Sequence, residues 1–223
     1  MIARKFADYK DLSLEAALIV ARQIRATPGT VLGLAAGKTP IGTYSELVRM
    51  HREEGLDFSR TVFFSLDEFQ GLNPDHPQSF ASFLHQHFLD HINTSKSNVH
   101  LVSGSATQTD CEQYEGAIHE AGGIDLQILG IGLNGHIAFN EPGSRFDSRT
   151  RVVHLSHETA PGTPGTAVTM GIGTILLARH ILLLASGPDK AQVLDAALHG
   201  PQTESLPASA LQRHPNLTVF VTS

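Results

Sequence analysis

Hydrophobic and polar positions in this chain change period repeatedly from one end to the other. Short apolar runs of strand length are expected at Met1–Lys5, Thr30–Leu34, Thr61–Leu66, Val99–Val102, Leu126–Ile131, Arg151–Leu155, His180–Ala185 and Leu217–Val221. Between them, spacings near 3.6 residues predict helices over Ser13–Thr27, Ile41–Glu54, Ser79–His91, Asp110–Ala121, Ala167–Ala178 and Lys190–Leu198. Ser13 before Glu15-Ala16-Ala17 reads as a helix start, and Pro28-Gly29 as its stop. Strands alternating with helices predict an α/β fold: a doubly wound, mostly parallel sheet with helices on both faces, Rossmann-like, in a single domain. With no internal repeat and no dividing linker, the domain is expected to span residues 1–223. The stretch Ala160-Pro161-Gly162-Thr163-Pro164-Gly165-Thr166 predicts a mobile loop.

In open α/β sheets ligands bind outside the carboxyl ends of the strands, which directs attention to the turns that follow them. The run Ile124–Leu129 leads into GIGLNGHIAFNEPG, residues 130–143, where His136 and Glu141 stand five residues apart on a glycine-rich turn. Small residues let backbone approach a ligand, and an imidazole moves protons near neutral pH. Glu141 is placed to orient the imidazole or to join its relay. Gly130, Gly132 and Gly135 also satisfy G-x-G-x-x-G, but Pro142 and Gly143 follow where a helix should open, which argues against a dinucleotide site.

Three other segments carry candidate chemistry. In TVLGLAAGKTP, residues 30–40, a strand enters a small-residue turn before a helix, an arrangement able to hold phosphate on backbone N–H groups and the Thr39 hydroxyl. Gly37-Lys38-Thr39 resembles a Walker A ending, but the glycine required at position 32 is Leu32, so the nucleotide-triphosphatase reading fails on spacing. Asp67 and Glu68 end the apolar strand Val62-Phe63-Phe64; neighbouring carboxylates point apart, so one faces the site while the other packs or pairs. A carboxylate in a partly desolvated cleft suits proton abstraction next to a carbonyl or imine. Lys190, following Gly187-Pro188-Asp189, is either solvated or within reach of a phosphate. His87 and His91 have helical spacing, but without H-E-x-x-H they predict packed or solvated histidines rather than a metal site.

Charge and composition narrow the partners. A net charge of −6 with no basic block excludes nucleic acid and anionic membranes as expected partners, while a small anionic metabolite remains compatible. Cys111 is alone, so neither a disulfide framework nor a cysteine-based zinc motif is expected. The N-terminus has no apolar signal region and no run is long enough to span a bilayer, so a cytoplasmic protein is expected.

Taken in order, LGLAAGKTPIGTYSELV, DFSRTVFFSLDEFQGLNPDHPQSFASF, GIGLNGHIAFNEPGSRFDSRTRVVHLS, TMGIGTILLA and PASALQRHPNLTV resemble the glucosamine-6-phosphate deaminase/isomerase family, which shares its fold with the 6-phosphogluconolactonases. The resemblance implies a hydrolase of amino-sugar catabolism that turns glucosamine 6-phosphate and water into fructose 6-phosphate and ammonia, with no cofactor and no metal. By position it implies Asp67 as the base at C2 and His136 as the ring-opening proton shuttle supported by Glu141. It places Asn134 where some members carry aspartate, and Gly37, Thr39 and Lys190 at the sugar phosphate.

Three departures modify the expectation. Asn134 lacks the charge of an aspartate, so the His136 imidazolium is expected to be less stabilised. Lys38 stands at a usually small position and is expected either to add a phosphate cation or to crowd the turn. The family's longer lid with its phosphate-gripping arginine is replaced after Glu158 by TAPGTPGTA, which predicts weaker phosphate affinity or compensation by Lys38. Lactonase activity, isomerisation of another sugar phosphate and a non-catalytic sugar-phosphate sensor are the alternatives. Oligomeric state and the choice between glucosamine and galactosamine 6-phosphate are not readable, and Arg151 alone does not make an effector site.

Overall fold

The computed structural model describes residues 1–156 and 165–222. Seven strands form one all-parallel sheet in the order β1 (Ile2–Phe6), β10 (Leu217–Thr222), β9 (His180–Ala185), β6 (Leu126–Gly130), β2 (Val31–Leu34), β3 (Val62–Ser65) and β5 (Val99–His100). The central strands β2, β6 and β9 are buried along almost their whole length, which explains their near-continuous apolar runs. Six helices join them: α1 (Tyr9–Ala26), α2 (Ile41–Glu54), α3 (Phe80–His87), α4 (Gln108–Glu120), α5 (Ile172–Ile175) and α6 (Ala191–His199). A single main core runs between sheet and helices, with Tyr44, Phe58, Phe63 and Phe88 closing its α2–α3 side; Tyr44 stacks on Phe88 at 5.0 Å between ring centres. The mostly parallel, doubly wound single-domain architecture expected from the alternating pattern is the one observed. Among the described residues no helix is long and apolar enough to cross a membrane.

The connections out of β2 and β6 run in opposite directions along the sheet. From β2 the chain proceeds to β3 and β5, whereas from β6 it proceeds to β9 and β10. That reversal opens a crevice between the carboxyl ends of β2 and β6, the place where this architecture binds ligands.

Two details of the expected pattern are corrected. Helix α1 begins at Tyr9, not at Ser13, because Asp8 caps it by accepting the Asp11 N–H at 2.9 Å; Ser13 instead donates back to the Tyr9 carbonyl at 2.7 Å. The helix expected over Ala167–Ala178 is a strand, a turn and one helical turn. Thr166–Thr169 forms β8, which pairs antiparallel with β4 (Asp67–Phe69) and β7 (Arg151–His154) in a second, three-stranded sheet. Only Ile172–Ile175 is helical. The apolar residues fit a helical period, but Val168 and Thr169 are β-branched and buried, and Gly171 cannot continue a helix where it sits against the Ser148–Arg149 backbone. The expected loop over Ala160–Thr166 and the cation-free segment after Glu158 lie outside the described residues, apart from Gly165 and the β8 residues that follow it.

A methyl group at Gly171 would strike the Ser148 carbonyl, a backbone atom that cannot step aside alone. Gly171→Ala is therefore expected to cost roughly 1–3 kcal/mol by forcing β7 away from β8. Denaturant unfolding measures this, and an unchanged midpoint would show that the turn yields freely.

Candidate active site

Asp67, His136, Lys38, Thr39 and Lys190 converge on one cleft of about 650 Å³ at the β2–β6 crevice. Asp67 arrives from the first residue of β4, just after the chain leaves β3. Leu66 joins the two sheets: its N–H donates to the Leu34 carbonyl at 3.1 Å, and its own carbonyl accepts from the Met170 N–H at 2.7 Å. Asp67 and Glu68 then divide as alternation requires. Glu68 turns inward and accepts from its own neighbour's Phe69 N–H (2.8 Å), the Ser79 hydroxyl (2.6 Å), the Phe80 N–H (3.0 Å) and the Ala81 N–H (2.9 Å), so its carboxylate satisfies the first turn of α3. Asp67 faces the cleft while only 7% exposed. Burial, with the Glu68 charge beside it, pushes its carboxyl up to about 8.

His136 sits on the turn after β6. A Cβ at Gly132 would overlap the His136 ring, so glycine is required there for close packing rather than for a dinucleotide. Asn134 fixes the imidazole. Its Oδ1 accepts the His136 backbone N–H at 3.1 Å and lies 2.8 Å from Nδ1. An oxygen already facing a backbone donor is an acceptor, so Nδ1 carries the proton and Nε2 is the basic nitrogen. Burial lowers the affinity of His136 for a second proton; the Glu141 charge opposes that shift and the Lys190 charge adds to it.

Glu141 lies within electrostatic reach of the imidazole. It makes no hydrogen bond to His136; its carboxylate accepts from the Ser156 N–H at 3.0 Å and the Ser156 hydroxyl at 3.2 Å. It acts on the imidazole through charge, while Asn134 orients it. Behind this turn Arg151, whose charge is disfavoured by burial, donates to Asn140 at 2.9 Å, and Asn140 in turn donates to the Ile137 and Met170 carbonyls. Ala138, which also lines the cleft, is the one non-glycine residue with positive φ (49°) among the described residues.

The opposite wall is the β2–α2 turn. Gly37 has φ of 109°, which glycine adopts without strain, and the amides of Gly37, Lys38 and Thr39 donate to no protein acceptor among the described residues. Lys38 is exposed at the rim. Lys190 lies in a 3₁₀ turn (Pro188–Lys190) ahead of α6, and burial lowers its proton affinity against the pull of Asp189. The Gly37–Thr39 turn and two lysines can hold a dianion here, with a carboxylate and an imidazole for proton transfer deeper in.

Phe80 and Phe139, stacked at 5.5 Å, complete the apolar wall and carry no sequence signal beyond their aromatic character. The histidines of the middle of the chain stay apart from the cleft. His91 falls on a 3₁₀ turn (Leu89–His91) beyond the end of α3, so His87 and His91 do not share one helix; His91 bonds the Gln86 carbonyl and His85 pairs with Asp90. Among the described residues no cluster of His, Cys, Asp and Glu could hold a metal ion.

Comparison with known proteins agrees with the geometry. Residues 7–220 match the family described as glucosamine-6-phosphate isomerases/6-phosphogluconolactonase. A glucosamine-6-phosphate deaminase from Thermoanaerobacter pseudethanolicus is 45% identical, over 96% of this chain and 89% of the relative. The glucosamine-6-phosphate deaminase 2 of Bacillus subtilis is also 45% identical, over 95% and 91%. Among solved structures, a monomeric glucosamine-6-phosphate deaminase superposes with a TM-score of 0.96 at 41% identity, covering 100% of this chain and 97% of the other. The 6-phosphogluconolactonase of Thermotoga maritima gives 0.81 at 26%, covering 99% and 98%.

Two outcomes test the electrostatics. Between its ordinary value of 3.8 and about 8, Asp67 keeps a proton in the folded chain that the unfolded chain has released. The folded state then binds more protons, so stability falls as pH rises through that window. Asp67→Asn is expected to raise Tm at pH 8 and hardly at pH 4; a pH-independent difference contradicts the assignment. Asn134→Asp is expected to raise the His136 pKa by adding a negative charge at Nδ1, read by NMR titration of the ring, and no rise would refute it.

Proposed function

Because the chain belongs to the glucosamine-6-phosphate isomerase/6-phosphogluconolactonase family, we propose that it isomerises and deaminates glucosamine 6-phosphate to fructose 6-phosphate and ammonia. The observation that carries this reading is the convergence of Asp67 and His136 from two different strand ends onto a cleft whose far wall is a bare amide turn. An aldose-to-ketose conversion needs two proton-transfer stations, one for the ring oxygens and one for carbon. A lactone hydrolysis needs only activated water.

In the proposed reaction the phosphate rests on the Gly37–Thr39 turn with Lys38 and Lys190, and this remote binding energy sets C2 over Asp67. Nε2 of His136 takes the proton of the anomeric hydroxyl and returns it to the ring oxygen as the C1–O5 bond breaks. Asp67 removes the C2 proton of the open chain to give the enolamine, and a proton is delivered to C1, leaving an imine at C2. Water adds to that imine carbon and ammonia departs, leaving the ketone. Hydrolysis enters only as this closing step; the names of the relatives speak of deamination and isomerisation.

The raised pKa of Asp67 is compatible with its role as base. An ammonium group at C2 offsets the Glu68 charge, favours the Asp67 carboxylate, and acidifies the very C–H bond to be broken. The setting would be cytoplasmic amino-sugar catabolism, with Lys38 supplying the phosphate charge that the sequence TAPGTPGTA after Glu158 lacks.

The test is simultaneous assay of ammonia and ketose 6-phosphate from glucosamine 6-phosphate. Wild-type protein should release both in equal amounts, and Asp67→Asn should lower kcat by roughly 10²–10⁴. Release of neither product, or full activity in Asp67→Asn, refutes the proposal, the latter favouring a lactonase.

A further inference from the structure

The β2–α2 turn is held in shape by a residue from outside it. Helix α2 has Pro40 at its N-cap position, and no side chain of its own caps it. Its early N–H groups would normally be bonded by a Ser, Thr, Asp or Asn at that position. The Tyr9 phenol, from the first turn of α1, fills this role across the tertiary structure. It accepts the Gly42 N–H at 2.8 Å and donates to the Thr39 carbonyl at 2.9 Å, with the Lys38 carbonyl at 3.2 Å as its alternative. One hydroxyl thus ties the two residues of the turn that carry Lys38 and Thr39 to the helix that follows them.

The contact is built from both sides. Ser13 donates to the Tyr9 carbonyl at 2.7 Å. A Cβ at Gly42 would overlap the Ser13 side chain and come within 3.0 Å of the Tyr9 oxygen, so glycine at position 42 admits the approach. Tyr9 is itself partly exposed and does not line the cleft. Among the described residues the Gly37, Lys38 and Thr39 amides have no protein acceptor, which suits them to a ligand.

We propose that Tyr9 is a positioning residue for phosphate recognition, acting as a cross-helix cap that orders the Gly37–Thr39 turn before the ligand arrives. This rests on reading that turn as the phosphate site. Preordering a turn removes an entropic cost from binding but leaves the proton-transfer groups untouched. Loss of the phenolic oxygen therefore falls on KM and not on kcat, because Asp67 is anchored on β4 and His136 on the turn after β6.

Tyr9→Phe removes the oxygen and keeps the ring. It is expected to raise KM for glucosamine 6-phosphate about fivefold, the order of one lost hydrogen bond, with kcat within about twofold. The inhibition constant of inorganic phosphate should rise by the same factor, and the Tm increase produced by inorganic phosphate should shrink. Phosphate binding needs no turnover, so this arm stands even if glucosamine 6-phosphate is not the substrate. Unchanged KM and phosphate constants, or a fall in kcat with phosphate binding intact, would overturn the proposal. Should Tyr9→Phe fold poorly, amide exchange on the wild-type chain decides: Gly42 should be protected without ligand, and exchange as fast as in an open loop refutes the cap.

Discussion

The cleft depends on how the chain leaves the main sheet at Leu66. Its N–H continues the parallel ladder to Leu34, while its carbonyl already belongs to the small sheet through Met170. That double attachment fixes where the next residue emerges, and the next residue is Asp67. With β4 paired to β8 at Asp67 and Thr169, the carboxylate is held inside the crevice by two sheets and has little freedom to seek water. Its raised pKa is a consequence of this placement, since burial is the larger cause and the Glu68 charge the smaller.

The two adjacent acids show how one fold separates stability from chemistry. Glu68 is buried but fully used, receiving three backbone N–H groups and a hydroxyl, and it fastens the N-terminus of α3. Four such donors replace the water that a buried carboxylate loses. Asp67 is buried without such donors, a state that favours the neutral acid and weakens folding as pH rises. Residues held at a disadvantage in the folded chain mark functional sites more often than structural ones. Ala138, with its left-handed backbone on the same cleft, belongs to the same pattern.

Much of this architecture is written in the chain as period and punctuation. Continuous apolar runs marked the parallel strands, and glycine-rich turns after β2 and β6 marked the crevice, because burial on both faces and close backbone approach each demand particular residues. The split between Asp67 and Glu68 followed from strand alternation, although which acid would face the cleft did not. The β8–α5 region misled because Ala167, Met170 and Ile175 satisfy a helical spacing, while the pairing that overrides it lies with Asp67–Phe69, about a hundred residues away in the chain. Tyr9 was equally hidden: its partners Thr39 and Gly42 are some thirty positions distant, and nothing local distinguishes it from a surface tyrosine. Local chemistry is legible when its partners are local. His136 and Asn134 are two residues apart and stand out together in the chain, whereas the bond of Glu141 to Ser156 spans 15 positions and does not.

The contact with His136 bears on what an asparagine at position 134 changes. An aspartate there would orient the imidazole and also stabilise its protonated form. Asn134 retains the first effect, since its Oδ1 receives both the backbone N–H and Nδ1–H, and gives up the second. Burial lowers the proton affinity of His136 further, the Glu141 charge opposes it, and the Lys190 charge adds a smaller push in the same direction as burial. The imidazole is therefore held neutral, in one tautomer, with Nε2 as its acceptor. A group that shuttles a proton between two oxygens of one sugar gains little from a stable imidazolium, because a proton held too firmly is returned too slowly. Orientation without strong charge stabilisation is sufficient for that task, and Glu141 remains close enough to keep the protonated form within reach.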